Sequence, residues 1–152
     1  MRVRATALVL TFFVTRYGNE RTDLMTAAEV QAVEKVYALA PEGSLLAVAY
    51  DNLPWKFQGF ERYTYTSTAT GASPGTPVKI ATTLHQPGHP ASFLILTRSQ
   101  GNYLEAFYGL APGAWNAFVA SMRASPMFTE IYRNADADVF VPAGQRTAGV
   151  TP

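Results

Sequence analysis

Thr26-Ala-Ala-Glu-Val-Gln-Ala-Val-Glu-Lys-Val-Tyr-Ala-Leu-Ala-Pro-Glu-Gly-Ser-Leu-Leu-Ala-Val-Ala-Tyr50 is the stretch whose reading decides the fold. Its first four residues form a capping box. The Thr26 hydroxyl can accept from the amide three residues on, and the Glu29 carboxylate can reach back to the Thr26 amide. Val30, Val33, Val36, Tyr37 and Ala40 then recur at helical spacing and give one apolar face. Pro41-Glu-Gly43 ends that helix. Ser44 to Tyr50 is a short, continuous apolar run, as expected of a strand covered on both faces. A capped helix, a tight turn and a buried strand are the elements of an α/β domain.

Further along, Thr, Tyr and Thr alternate in an extended segment from Phe60 to Ser67. Thr68 to Gly75 reads as a loop of small residues. Thr76-Pro77 is an N-cap with proline at the first helical position, which predicts a short helix to about Gln86. Ala91 to Thr97 is the second strongly apolar strand. Helices are expected over about Ser99 to Tyr108 and about Gly113 to Ala124, the second with Trp115, Phe118, Val119 and Met122 on one face. Met127 to Arg133 and Asp138 to Val141 read as a terminal hairpin across Asn134-Ala-Asp-Ala137. The expected architecture is a single small α/β sandwich. It has four to five mixed strands, helices packed on the sheet, a C-terminal hairpin and an N-terminal apolar helix.

That last element comes from the opening residues, MRVRATALVLTFFVTRY. Arg2 and Arg4 precede an uncharged stretch from Ala5 to Thr15, and Arg16 closes it. As a helix it would cover only about half of a roughly 30 Å hydrocarbon core. Two readings are open: a signal peptide, or the tail end of a longer span. Both deliver the rest of the chain to the far side of a membrane, with Arg16-Tyr17 as an interfacial anchor. The domain plan is therefore a membrane-proximal segment at 1–17, an α/β domain at 18–142 and a disordered Gly/Thr/Pro tail at 143–152.

Composition narrows the function. The chain has 152 residues, 48% of them hydrophobic and 15% charged, which suits one domain with a real core. A net charge of +1 without a Lys/Arg cluster leaves no footprint for nucleic acid. The absence of cysteine removes disulfides, thiolate metal sites and a cysteine nucleophile. His85 and His89 flank a Pro-Gly turn without a third ligand, so no metal is expected. Neither a Gly-rich phosphate loop nor a nucleophile elbow is present, so no catalytic residue and no cofactor is assigned.

Ligands of open α/β sheets favour the crevice at the C-terminal ends of the strands. Here those ends carry Asp51, Asn52 and Trp55 after the first buried strand, and Arg98 and Gln100 after the second. If the two strands are neighbours, a carboxylate, two amides and a guanidinium converge beside an indole. Planar bidentate groups suit sugar hydroxyls or a phosphorylated sugar, and the indole suits the apolar face of a sugar ring. The competing reading is structural: an Asp51–Arg98 ion pair, or Asp51 and Asn52 capping the turn before Pro54. Glu61-Arg62-Tyr63 is a candidate extension of the same surface.

Several strings in this order carry a resemblance: Arg16-Tyr-Gly-Asn-Glu20, Tyr37-Ala-Leu-Ala-Pro-Glu-Gly-Ser44, Asp51-Asn-Leu-Pro-Trp55, Glu61-Arg-Tyr63, Leu96-Thr-Arg-Ser-Gln100, Ser125-Pro-Met-Phe128 and Tyr132-Arg-Asn134. Together they resemble the C-terminal extracytoplasmic domain of large polytopic actinobacterial membrane proteins. Those proteins look like lipid-phosphate-sugar-dependent (GT-C type) glycosyltransferases. The resemblance implies a cell-membrane location with the domain outside, and as partners the membrane surface or transmembrane part of a transferase, with a sugar or lipid-linked sugar as ligand. In such transferases the catalytic acids sit between transmembrane helices, so none is carried over to this chain. The alternative is a stand-alone exported ligand-binding or interaction module.

Overall fold

The computed structural model describes residues 24–51, 53 and 59–146. The apolar segment at 1–17 and two of the sequence-predicted site residues, Asn52 and Trp55, lie outside the described residues. Among the described residues no helix is long and apolar enough to cross a membrane.

Helix α1 spans Ala27–Leu39 and begins with the capping box. The Glu29 amide donates to the Thr26 hydroxyl at 3.2 Å, and the Thr26 amide donates to the Glu29 carboxylate at 2.8 Å. The chain turns at Gly43, whose φ of 81° lies where an L side chain is strained. Strand β1 (Leu45–Val48) follows with every residue buried.

The segment at 60–67 differs from the expected continuous strand. Phe60–Arg62 form a 3₁₀ turn, and only Thr64–Ser67 make strand β2. Left-handed Gly59 starts the turn, and the turn stacks Phe60 on Tyr65 with ring centroids 4.2 Å apart. Helix α2 is Pro77–Leu84, with the Thr76 hydroxyl accepting from the Lys79 amide. Strand β3 (Ser92–Thr97) runs straight into helix α3 (Arg98–Tyr108). Helix α4 (Ala114–Ala124) leads to strands β4 (Phe128–Arg133) and β5 (Ala137–Pro142), the C-terminal hairpin.

The five strands form one mixed sheet in the order β2-β1-β3-β5-β4. β1 pairs parallel with β2 and β3, whereas β5 runs antiparallel to both β3 and β4. The three central strands are buried throughout because both faces are covered. On one face Leu45, Leu94, Leu96 and Phe140 pack under α2, α3 and α4. On the other, Leu46, Phe93, Ile95 and Val139 pack under α1, which contributes Ala32, Val33 and Val36. Past the hairpin, Gln145 falls within the expected tail, yet its side chain accepts from the Ser92 amide at 2.9 Å and donates to the Ser92 carbonyl at 3.1 Å.

Candidate polar pocket and aromatic shelf

The strand order 2-1-3 puts the topological switch point between β1 and β3, where an open α/β sheet usually seats its ligand. Here the chain's own side chains occupy it. Gln100 is fully buried in the first turn of α3. Its Oε1 accepts from the Ala49 amide at 3.0 Å and the Tyr50 amide at 3.4 Å, and its Nε2 donates to the Ile95 carbonyl at 3.0 Å. One amide thus ties the end of β1 to the end of β3. The N-terminus of α3, a ready anion seat, is filled as well. Its Ser99 amide and hydroxyl both donate to the carboxylate of Glu29, each at 2.7 Å.

Arg98 turns away from this crevice. Its Nη1 lies 3.0 Å from Asp136 Oδ1, and its backbone amide donates to the Asp136 carbonyl at 2.8 Å. Among the described residues no ion pair joins Arg98 to Asp51, which is exposed at the end of β1. The Glu61-Arg62-Tyr63 string precedes β2 and therefore sits at the opposite end of the sheet, where the Arg62 carbonyl accepts from the Gly43 amide at 2.7 Å. His85 and His89 lie at that end too, each with Nδ1 donating to a backbone carbonyl, those of Ala81 and Gly43. Among the described residues no group of three His, Asp or Glu side chains is placed to hold a metal ion.

Arg98 instead borders a cavity of about 360 Å³ one strand further on, between the end of β3, the β4–β5 turn and α4. That volume is at the small end of ligand sites. Arg98, Arg123, Arg133, Asp136 and Asp138 line it, with Asn116, Asn134 and the Trp115 indole. Arg123 places both Nε (2.9 Å) and Nη2 (2.5 Å) on Oδ1 of Asp138. Arg133 is more distant, with Nε at 4.0 Å from the same oxygen and its side chain 58% exposed. Asn134 shapes the turn by accepting from the Asp136 and Ala137 amides, and its Nδ2 donates to the Ala28 carbonyl of α1. Burial, and then a hydrogen bond to Asp138, raise the Glu130 pKa above the usual carboxylate value, while Arg123 and Arg133 oppose that shift. The wall therefore carries both donors and acceptors, with the Arg123–Asp138 pair the more buried of them.

Beside the other end of the crevice lies an aromatic shelf. Tyr50, two residues past the end of β1, stacks on Tyr103 of α3 with centroids 4.6 Å apart, and its hydroxyl shares a 2.7 Å hydrogen bond with that of Tyr108. Tyr103 in turn contacts Phe107. Hydrogen bonds with Tyr108 and Tyr103 hold the Tyr50 hydroxyl protonated well above the ordinary tyrosine range.

Set against known protein families, characterised proteins and solved structures, the chain finds no match. Sequence reasoning reached Arg98 but passed over Arg123, Arg133, Asp136 and Asp138. One signal was available: Asp138 interrupts an otherwise apolar strand, and a buried carboxylate needs a cationic partner.

Proposed function

We propose that this chain is a non-catalytic domain that positions a sugar, or the sugar of a lipid-linked donor, on the extracytoplasmic side of a membrane. In this reading it belongs to, or derives from, a membrane glycosyltransferase. The observation that carries the reading is the pairing of Arg98 with Asp136 and of Arg123 with Asp138 around one small cavity. Each sugar hydroxyl is both donor and acceptor, and such a wall offers it both kinds of partner on planar groups. Supporting it are the ordered strings that resemble actinobacterial transferase domains and the Arg-flanked apolar segment at 5–15.

The test is amide-resolved NMR of the full chain titrated with the methyl glycosides of mannose, galactose and arabinose. One of them is expected to shift the amides of Arg98, Arg123 and residues 134–138. Asp136→Asn and Arg123→Gln should each weaken that binding about tenfold, the worth of one charge-assisted hydrogen bond. Shifts confined to other parts of the fold, or none with any glycoside, would overturn the assignment.

A further inference from the structure

We infer that the aromatic shelf of Tyr50, Tyr103, Phe107 and Tyr108 is a lipid-docking surface that lies on the headgroup layer and sets the orientation of the domain. The inference rests on the membrane-proximal part of the proposed function, not on its sugar pocket.

Phe107 and Tyr108 are 53% and 41% exposed, so this patch of rings is open to its surroundings. None of the four shelf residues carries a formal charge at neutral pH. Phenol rings, apolar in body and polar at the tip, settle where hydrocarbon meets headgroups.

The tether supplies the geometry. Leu24, the first described residue, is 64% exposed, and its carbonyl oxygen lies 3.4 Å from the Ser99 hydroxyl oxygen in the first turn of α3. Six residues, and so seven Cα–Cα steps, separate Tyr17, the expected anchor at headgroup level, from Leu24. Fully extended they span at most about 25 Å, so the start of α3 stays within that distance of the bilayer. Phe107 lies only about 12 Å further along the same helix. Among the described residues the other exposed large apolar side chains are isolated from this cluster: Val78 is a lone aliphatic residue in the first turn of α2, and Phe60 sits at the opposite end of the sheet. Among the described residues the shelf is therefore the exposed aromatic cluster that a short tether through Leu24 keeps within reach of the membrane surface.

The chain contains no cysteine, which makes site-specific labelling direct. Ala106→Cys places a fluorophore at the exposed rim of the shelf and leaves its four rings intact. Gln31→Cys places one on the exposed side of α1, across the sheet. Each full-length variant is bound to vesicles of equimolar phosphatidylcholine and phosphatidylglycerol, with lipids brominated near the headgroup as quencher. Quenching at position 106 with none at 31 is the expected result, and Phe107→Ser combined with Tyr108→Ser should reduce it. Equal quenching at both positions, or at neither, on chains that do bind the vesicles would overturn the docking surface alone. A full-length chain that ignores vesicles would overturn the docking surface and the membrane reading together. Sugar titration of the same variants is expected to be unchanged; loss of glycoside binding in the double serine variant would instead assign the shelf to the ligand.

Discussion

Glu29 and Ser99, 70 residues apart, are joined by two 2.7 Å hydrogen bonds onto one carboxylate, which also accepts from the Thr26 amide. A single buried side chain therefore caps α1 and α3 together. It locks the helix on one face of the sheet to a helix on the other, around the end of β3.

Replacing Glu29 with alanine should accordingly cost more than the roughly 1 kcal/mol of an ordinary helix cap. It strands the Ser99 amide in the interior and opens a void, for a loss of about 3 kcal/mol. Glu29→Gln, which keeps the shape but turns one acceptor into a donor, should lose about half as much. Urea unfolding followed by circular dichroism checks both. A loss of under about 1 kcal/mol in the alanine variant would show that the bridge is not structural.

Gln100→Ala should destabilise by about 2–3 kcal/mol, because the Ala49 amide and the Ile95 carbonyl are left without their buried partner. Its effect on glycoside affinity should be small once folding is accounted for. A variant of native stability that had lost sugar binding would return Gln100 to the ligand site.

Gly101 faces the Trp115 ring so closely that an added Cβ would overlap the indole. Gly101→Ala must push α3 and α4 apart and should cost on the order of 2–3 kcal/mol. Loss of the near-ultraviolet signal of Trp115 would accompany it. Unchanged stability and spectrum would mean the helices are less tightly apposed.

The raised pKa of Glu130 makes stability depend on pH with a definite sign. The folded protein holds this proton more tightly than the unfolded chain, so the contribution is complete below the usual value of 4.5. It is lost as pH rises from there through the folded pKa. Glu130→Gln should flatten this fall, seen as a smaller difference in unfolding free energy between pH 4 and neutrality. A parallel pH profile in the two proteins would contradict the proton shared with Asp138.

Much of the scaffold was legible because its signals are local. The box Thr26-Ala-Ala-Glu29, Pro77 behind Thr76, and the apolar runs at 44–50 and 91–97 each report on backbone within a few residues. The 3₁₀ turn at 60–62 escaped because it depends on left-handed Gly59 and on the stacking of Phe60 upon Tyr65. Asp51, Arg98 and Gln100 were placed correctly at one end of the sheet. Their chemistry was not readable, since which donor meets which acceptor is settled across the fold: Arg98 by Asp136, and Gln100 by Ala49 and Ile95.

The sequence by itself determined the α/β class, the capped first helix, the two apolar strands β1 and β3 and the terminal hairpin, because periodicity, caps and turns act over one or two turns of chain. Only the tertiary structure decided that the switch-point crevice is filled from within and that the open polar cavity lies one strand over. Hydrogen bonds and ion pairs between residues far apart in sequence carry no local pattern. They exist only once the sheet order brings the end of β3, the β4–β5 turn and α4 together.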